Sequence, residues 1–504
     1  MMQNTSVVII GGGPAGLSAA LTLSDEKIPV TVFEADPVYL GGISRTVRHG
    51  DYLTDIGGHR FFSKSRDIED FWSRILGDDL LERPRSSRIL YRGNLFSYPL
   101  RAFEVLRKIG YGESFLCIAS YVKSHFIPVR PAKTFEDWVV NRFGKRLFQI
   151  FFKTYTEKVW GIPCDRISAD WAAQRINSLS LGVAILNALT PWRTRSRRVK
   201  TLVESFRYPR KGPGMMWESC AKKLMTAGGN VVMGSPVDRL VWDKNTSQWT
   251  IEGTNSHGAR FKHQARHVIS TMPLCDLIPA LDPPASEIAL AAAKGLRYRD
   301  FITISVVVPD LGKDDDGTGG GIFQENWLYI HDPAVKVGRI QNYRSWSPEM
   351  VPAVSPGQPE RTFLGVEYFC FKGDGLWESP DHELIALAKK ELLATGILKK
   401  PEHFLEAFVN RQEKAYPVYD ETYKDHVWSI RDEIAARYPG LHVSGRNGMH
   451  KYNNQDHAMM TGILTAKNII AGQNLWDIWR VNQDAEYLES PGGKGGLIDP
   501  PVET

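Results

Sequence analysis

The sequence predicts an α/β protein in which a parallel-sheet domain, assembled from separate segments, carries a helical domain and an antiparallel-sheet domain. Three observations predict this class: a glycine-rich turn between an apolar strand and a helix near the N-terminus, helical periodicity in the second hundred residues that is clearest in "FEDWVVNRFGKRLFQIFF", and β-branched and aromatic runs after residue 300. The expected segments are 1–83, 206–282 and 441–484 for the parallel-sheet domain, 102–205 for the helical domain, 283–440 for the antiparallel sheet, and 485–504 for a flexible tail.

The composition is that of an ordinary globular protein. The chain has 504 residues, 42% hydrophobic content, 24% charged content and a formal net charge of +5. This charge is too small to indicate a nucleic-acid partner. The five cysteines are scattered without a CxxC pair, so we expect free thiols in a reducing compartment and no metal site. With no secretory signal and no apolar run of about eighteen residues, we expect a cytoplasmic protein.

The first element is a strand, a turn and a helix in "SVVIIGGGPAGLSAALTL". In the G-x-G-x-x-G pattern, Gly11 permits a tight turn, Gly13 lets the backbone approach a pyrophosphate, and Gly16 lets helix and strand pack closely. A second strand, "IPVTVFEAD", ends at Glu34, whose carboxylate can accept a hydrogen bond from a ribose hydroxyl. The acid disfavours a 2′-phosphate, so the pattern predicts a Rossmann-type site for FAD or NAD.

Two further glycine turns favour FAD. "LGGISRT" (40–46) contains Gly42 and Arg45, and "DIGGHRFF" (55–62) contains Gly58 and His59. A second glycine turn soon after the acid is typical of proteins that bind FAD at the N-terminus, and no second dinucleotide pattern follows. His59 is either a satisfied core histidine or a residue beside the flavin.

A helix should begin near Asp456 and stop at Gly472. Its apolar positions recur at spacings of four, three and four, which predicts one buried face; these are Met459, Ile463, Ala466 and Ile470. Its positive N-terminal end would suit the anionic edge of a flavin, which makes Asp456 a candidate cofactor residue.

Motifs along most of the chain resemble UDP-galactopyranose mutase, a flavoenzyme family. They are, in order, "GGHRFFS", "FSYPL", "FFKTYTEKVWG" (151–161), "ADWAAQRI" (169–176), "NWLYI" with Arg339, "AYPVY" (415–419) and "GRNGMHKYNNQDHAMMTG" (445–462). The resemblance implies pyranose–furanose exchange of a sugar diphosphate, with N5 of reduced FAD as nucleophile and NAD(P)H as a candidate external reductant. It also implies a role in cell-surface glycan biosynthesis.

The resemblance also assigns site residues. Phosphate oxygens only accept hydrogen bonds, so a diphosphate needs cationic and hydroxyl donors. The candidate arginine donors are Arg175, Arg339 and Arg446, and the candidate hydroxyl donors are Tyr329, Tyr416 and Tyr452. By the same resemblance Tyr155 would stack on a uracil base and Trp160 would lie near the sugar. Together with His59, the three arginines are the candidate catalytic residues.

The middle of the chain departs from that family. The apolar run "LGVAILNAL" is followed by a basic run with Trp192, and together these occupy 181–200. The basic residues are Arg193, Arg195, Arg197, Arg198 and Lys200. The segment is either a solvated loop after a helix or a peripheral contact with an anionic membrane surface, which would suit a lipid-linked rather than a nucleotide-linked substrate. "FRYPRKGPGMMW" (206–217) should return the chain to the FAD-binding domain.

Two other interpretations fit the same motifs. The chain could be an FAD-dependent oxidoreductase, related to amine oxidases or desaturases, and an apolar tunnel with a buried lysine would favour that function. It could also be a non-catalytic flavin-binding partner. The sugar, its carrier and the oligomeric state are left open at this stage.

Overall fold

The computed structural model describes residues 6–98, 100, 102–169, 205–310 and 324–482. Arg175, the segment 181–200, the glycine-rich stretch 314–323 and the predicted tail 485–504 lie outside these described residues. In the described part, no helix is long and apolar enough to cross a membrane. No cluster of histidine, cysteine or carboxylate side chains within these ranges could hold a metal ion.

Five strands form a parallel sheet from distant parts of the chain. Their spatial order is Leu441–Val443, His267–Ser270, Val7–Ile10, Val30–Phe33 and Asn230–Val232. All four neighbouring pairs are parallel. The strands bury apolar side chains on both faces, as a parallel sheet covered on both sides requires.

One face of the parallel sheet is covered by four helices. Val7 and Ile9 belong to the same core cluster as apolar residues of these helices. The helices are Pro14–Asp25 (the N-terminal helix), Arg66–Leu76, Gly214–Thr226 and Gln455–Ala471 (the C-terminal helix). The predicted start and stop of the C-terminal helix are correct to within a residue, and Gly472 has a φ of +68°. The helix is buried nearly all round rather than on one face, because Gly462 packs directly against the N-terminal helix.

The other face of the parallel sheet packs on a small sheet and further helices. Val8 and Ile10 share a core cluster with these elements. The sheet has the order Arg260–Ala265, Gln248–Thr254, Val237–Asp243 and Leu281–Asp282. The helices are Leu274–Leu277, Glu287–Gly295 and Tyr423–Arg437.

A seven-stranded sheet forms the second large layer, and we call it the mixed sheet. Its order is Glu406–Pro417, Tyr298–Pro309, Arg361–Cys370, Arg339–Asn342, Trp327–Ile330, Ser87–Tyr91 and Asn94–Ser97. Its neighbours are antiparallel except for one parallel pair, Trp327–Ile330 with Ser87–Tyr91. The predicted antiparallel sheet is therefore present, but a hairpin from early in the chain extends it. Helix Asp381–Ala394 covers its outer face.

A group of helices from the second hundred residues packs on the mixed sheet and shares a core cluster with Phe301 and Phe369. They are Ala102–Ile109, Tyr111–Phe126, Phe135–Phe143, Lys145–Leu147, a π-helical turn at Phe148–Lys153, and Thr154–Trp160. The stretch "FEDWVVNRFGKRLFQIFF" is not one continuous helix. It breaks at Gly144, whose φ is +83° and where a Cβ would lie 2.6 Å from the backbone nitrogen of Tyr121.

Smaller elements connect these layers. Strand Ser205–Pro209 pairs with Leu80–Pro84, and Thr46–His49 pairs with Tyr52–Asp55. The remaining short helices are Tyr343–Trp346 and Gly445–Gly448, and single 3₁₀ turns lie at Gly42–Ser44, Gly77–Asp79, Cys164–Arg166, Ile278–Ala280, Pro348–Met350, Pro401–His403 and Ile478–Arg480.

Candidate active site

The glycine turn after the first strand is crowded at Gly16 and open at Gly13. A Cβ at Gly16 would lie 2.0 Å from the carbonyl oxygen of Gly11, so helix and strand pack with no room for a side chain. A Cβ at Gly13 would meet its nearest protein atom only at 3.9 Å, in the backbone of Gly41. The protein itself therefore leaves space above Gly13.

That space belongs to a cavity, and Gly13 lines it. Gly13 is the N-cap residue of the N-terminal helix and makes no side-chain cap, so the first helical N–H groups point toward a ligand position. The cavity is lined by Gly13–Ala15, 42–44, Thr271, 445–447, 453–455 and Ala458. Two buried side-chain oxygens on this lining, Oε1 of Gln455 and Oδ1 of Asn447, have no hydrogen-bond donor within the described residues. Open backbone donors and orphaned polar atoms are what a polar cofactor would satisfy.

Glu34 lies at the end of its strand, as the sequence predicts. Its carboxylate accepts hydrogen bonds from the backbone N–H of Gly12 at 2.6 Å and of Asp36 at 2.8 Å. Burial raises the pKa of Glu34, and these backbone donors oppose the shift. Glu34 thus holds the glycine turn in place through the N–H of Gly12.

The other predicted cofactor residues divide between the cavity and its surroundings. Gly42 faces Gly13, with its hypothetical Cβ 3.8 Å from the Cα of Gly13. Arg45 donates to the carbonyl of Gly42 at 3.0 Å and to Oε1 of Gln412 at 2.6 Å, which ties the second glycine turn to the mixed sheet. Asp456 is buried in the first turn of the C-terminal helix but is not on the cavity lining, whereas its neighbour Gln455 is.

His59 is held as a neutral imidazole. Burial, reinforced by the charges of Arg446, Arg339 and Arg45, lowers the pKa of His59 to about 3. Its Nδ1 lies 3.0 Å from the carbonyl oxygen of Gly57, so this nitrogen carries the proton and Nε2 is left as an acceptor. Burial is the larger cause of this shift, and the three arginines add a positive field at this position.

Arg339 is fixed by a buried carboxylate that the sequence analysis did not identify. Glu367 is fully buried and accepts a hydrogen bond from Nε of Arg339 at 2.5 Å, and Gln341 also donates to it. Gly58 packs against the same side chains: a Cβ there would lie 3.0 Å from Nε2 of Gln341 and 2.6 Å from the ring of Trp327. Glu367 thus joins the Gly-His turn to the strand that carries Arg339. The available signal was an acid within the apolar strand "RTFLGVEYF".

The second arginine and two tyrosines continue the site toward the cavity. Nη2 of Arg339 donates to the hydroxyl of Tyr416 at 2.9 Å. The rings of Tyr416 and Tyr452 stack with centroids 5.5 Å apart. The guanidinium of Arg446 lies 5.3 Å from the Tyr416 ring and 5.1 Å from the Tyr452 ring, while Nε donates to the carbonyl of Asn453 at 2.9 Å.

Aromatic residues form the far wall. Tyr155 meets Tyr329 edge-on at 5.6 Å and stacks on His331 at 4.7 Å, and Trp160 lies 5.8 Å from Tyr452. Burial raises the pKa of Tyr329 to about 12, and the charges of Arg60, Arg85 and Arg339 oppose this. The structure thus brings together every predicted substrate residue that it describes. Arg60 and Arg85 add cations that the sequence analysis missed.

The two lysines with the most depressed pKa values do not serve the site. Burial lowers the pKa of Lys158 and of Lys451 to about 8. Lys158 donates to the carbonyls of Ile330, Asp332 and Val337, and Lys451 donates to those of Trp479 and Val481. Both ammonium groups are therefore engaged with backbone oxygens.

A model of flavin containing amine oxidoreductases matches residues 14–321, which is more than half of the chain. The chain belongs to the flavin-containing amine oxidoreductase family. The matched region includes Gly16, Glu34, Tyr155 and Trp160. The open cavity above Gly13, directly before that region, fits the flavin cofactor that this family carries. The predicted FAD thereby gains support at the level of a flavin.

Curated relatives match in short regions only. A probable UDP-galactopyranose mutase of Klebsiella pneumoniae is 23% identical over 177 residues, which are 33% of this chain and 44% of that protein. An uncharacterized protein from the nifH2 3′ region of Methanothermococcus thermolithotrophicus is 43% identical over 53 residues, 10% of this chain and 50% of that protein. The matches thus span half or less of each relative.

Solved structures share the fold over nearly the whole chain. Reduced UDP-galactopyranose mutase superposes with a TM-score of 0.77 at 23% identity, covering 93% of this chain and 94% of the other. Cyclohexylamine oxidase from Brevibacterium oxydans gives 0.62 at 14% identity, covering 93% and 100%, and putrescine oxidase bound to putrescine gives 0.60 at 18%, covering 93% and 99%. The α/β fold class predicted from the sequence is confirmed.

Proposed function

We propose that the chain is an FAD-dependent mutase that exchanges the pyranose and furanose forms of a sugar diphosphate. The observation that carries the proposal is the positive field at His59, which the guanidinium groups of Arg446, Arg339 and Arg45 produce beside the flavin cavity. Guanidinium groups that converge on one position would stabilise an anion bound there. An amine substrate arrives as a cation and would be repelled.

Each proposed site residue has its own chemical role. Arg339 reaches the site with Nη1, since Nε and Nη2 are engaged with Glu367 and Tyr416. Arg446 and the hydroxyl groups of Tyr416 and Tyr452 are proposed to complete a diphosphate clamp. Tyr155 and Tyr329 offer stacking surfaces for a nucleotide base, and Trp160 would pack against the sugar. Arg175 belongs to the proposed clamp through the family resemblance alone.

The flavin would supply the electron-rich nucleophile when bound in its reduced form, with dithionite or NAD(P)H as the external reductant. The protein's own contribution is to hold the diphosphate before and after it leaves the sugar. His59 contributes a neutral Nε2 that accepts a hydrogen bond without adding charge. The proposal also includes a cytoplasmic role in glycan biosynthesis.

The oxidoreductase alternative has support of its own, because the family model and two of the structural neighbours are amine oxidases by name. Against it, the buried lysines Lys158 and Lys451 are both used by backbone carbonyls.

The test is an anaerobic assay of pyranose–furanose exchange with pre-reduced protein and a panel of sugar diphosphates. We expect turnover only with reduced flavin and no oxygen uptake. Arg446→Lys keeps the charge but loses the planar fork, so kcat/KM should fall about 30-fold or more. Arg437→Lys, at an exposed arginine paired with Glu433 one helical turn earlier, is the matched control and should behave as wild type. Oxygen consumption by the oxidised protein with an amine would overturn the proposal in favour of an oxidase.

A further inference from the structure

The helix Tyr111–Phe126 buries its small polar side chains and exposes its large apolar ones. The residues that it buries are small and partly polar: Ser114, Cys117 and Ser124. The residues that it exposes are large and apolar: Tyr111 at 95%, Phe115 at 71%, Leu116 at 51%, Ile118 at 44%, Val122 at 45% and Phe126 at 78%. A surface helix in water has the opposite arrangement, with its apolar stripe facing the core.

The exposed residues form one continuous stripe. Tyr111, Phe115, Ile118, Val122 and Phe126 follow one another at spacings of four, three, four and four, which places them on one side of the helix. The loop that follows extends the stripe with Ile127, 72% exposed, and Val129, 46% exposed. A patch of this length is far more than scattered apolar exposure, and it marks a surface that is covered in function.

Specific contacts on the buried side of this helix hold it in that orientation. The hydroxyl of Ser114 donates to the carbonyls of Leu106 and Gly110, each at 2.7 Å, and Cys117 lies in the core cluster that includes Trp160 and Tyr416. The helix is therefore held firmly with its small polar residues inward. Rotation to bury the phenylalanines would break these contacts.

The charges around the stripe select the partner. Residues 102–146 contain eight lysines and arginines but only four acids. Three of these acids are occupied: Glu104 pairs with Lys108, Glu113 pairs with Arg146, and Asp137 caps its own helix. Lys123, Arg130 and Lys133 are exposed and form no ion pair with any described residue. Apolar side chains bordered by unpaired bases are the chemistry of a helix lying on anionic lipid.

We propose that this face, Tyr111–Phe126 with the loop through Lys133, docks on the surface of an anionic membrane. The phenylalanines would enter the headgroup–acyl boundary, and the three bases would meet lipid phosphates. A second copy of the chain is a poorer fit, because a two-fold contact through the stripe would bring the same unpaired bases together. The proposal does not depend on the reaction that the site performs. It places the membrane on the outer side of the helical layer whose inner side supplies Tyr155 and Trp160.

The experiment is co-sedimentation of the purified full-length flavoprotein with phosphatidylcholine–phosphatidylglycerol vesicles and with pure phosphatidylcholine vesicles at low salt. We expect binding to the mixed vesicles, with a partition coefficient at least roughly tenfold lower for Phe115→Gln/Phe126→Gln. Lys123→Gln/Arg130→Gln/Lys133→Gln should abolish the preference for anionic lipid. Ile288→Gln, at a helical site that is 73% exposed elsewhere, is the matched control and should bind as wild type.

Flavin absorbance and circular dichroism would confirm that each variant is folded. Wild-type protein that stays in the supernatant with both vesicles overturns the proposal. Binding that the phenylalanine variant retains also overturns it, since the contact then lies in another segment such as 181–200. A wild-type dimer that the phenylalanine variant dissociates would show that a second copy covers the face instead.

Discussion

At the scale of single residues, the candidate site depends on a buried carboxylate that holds one of its arginines. Glu367 is directly opposite Arg339 in the register of two antiparallel strands, and its carboxylate is fully buried. Burial raises the pKa of Glu367, while Arg339 and Gln341 stabilise its charged form. The guanidinium of Arg339 therefore has two roles: it is a proposed hydrogen-bond donor to the substrate, and it neutralises the buried charge of Glu367.

This dual role predicts how Arg339 variants behave. Arg339→Gln should lower the free energy of unfolding by about 3–5 kcal/mol, because Glu367 is left buried without its counter-charge. The double variant Arg339→Gln/Glu367→Gln should recover more than half of that loss while remaining inactive. Urea denaturation of the flavin-bound proteins measures the first quantity, and the exchange assay measures the second.

The control is Lys372→Gln, since the Lys372–Glu413 pair is exposed, with side-chain exposures of 62% and 46%. Such surface pairs contribute at most about 1 kcal/mol. If the single and double Arg339 variants are equally unstable, the pairing with Glu367 does not carry the cost.

Residue motifs predicted which side chains lie close together. The sequence analysis named His59, Arg339, Arg446, Tyr416 and Tyr452, and the structure places them in one group of neighbours, of which Arg446 lines the cavity. Glu367, Gln341, Arg60 and Arg85 were not identified, because their roles arise from strand register and packing across distant segments. Glu367 had one local signal, an acid within an apolar strand, and Arg60 directly follows His59. No sequence spacing marks Gln341 or Arg85.

At the scale of elements, different glycines of the strand–turn–helix unit are needed for folding and for cofactor binding. Gly16 is required by the protein, since a Cβ there would meet the carbonyl of Gly11 at 2.0 Å. Gly13 is not, because its hypothetical Cβ has no protein atom nearer than 3.9 Å and the cavity lies on that side.

We therefore expect opposite outcomes from the same substitution three residues apart. Gly13→Ala should fold with stability near that of the wild-type apoprotein but bind FAD weakly, since the methyl group would enter the space for the pyrophosphate. Gly16→Ala should destabilise the apoprotein itself by about 1–3 kcal/mol through overpacking. Thermal unfolding of the apoproteins and FAD titration by fluorescence distinguish the two. A Gly13→Ala protein that binds FAD normally would contradict the placement of the cofactor.

Elements were predictable where the local signal agreed with the packing. The first strand, the N-terminal helix and the Gly472 stop follow from apolar periodicity and glycine positions. The helix break at Gly144 was missed because the apolar pattern continues through it. What forces the break is the close approach of Gly144 to the backbone of Tyr121, a contact between two helices that no local pattern encodes.

At the scale of the whole molecule, folding keeps several histidines uncharged in separate places. Burial is the first cause in each case: it lowers the pKa of His59 and His331 to about 3 and that of His442 and His450 to about 4. His442 lies in the parallel sheet, with Nε2 3.2 Å from Nδ1 of His267 on the neighbouring strand. The others lie in or near the site, so acid sensitivity is distributed over both large layers.

The direction of the resulting pH dependence follows from proton binding. A histidine in the unfolded chain has a pKa near 6.5, so between about pH 6.5 and 4 the unfolded state binds protons that the folded state excludes. The free energy of unfolding should therefore fall as the pH falls through this interval. Asp55 acts in the opposite sense: burial raises its pKa to about 7, so it favours the folded state most at low pH and loses that contribution as the pH rises through 7.

Burial also raises the pKa of four glutamates: Glu34, Glu69, Glu218 and Glu367. The seven histidines with a lowered pKa outnumber these five acids, so we expect a net loss of stability on acidification from pH 7 to pH 5. His442→Asn should reduce that loss by about 2 kcal/mol, because one excluded proton is removed at a position remote from the flavin cavity. Urea denaturation of wild type and variant at the two pH values measures the difference, and His382→Asn, at an exposed helical position, is the matched control. Because His442 faces His267 and touches none of the proposed ligand groups, the variant should retain its flavin and its activity at pH 7. Identical pH dependence in wild type and His442→Asn would contradict the assignment of acid sensitivity to the parallel sheet and would leave the histidines around the site as its source.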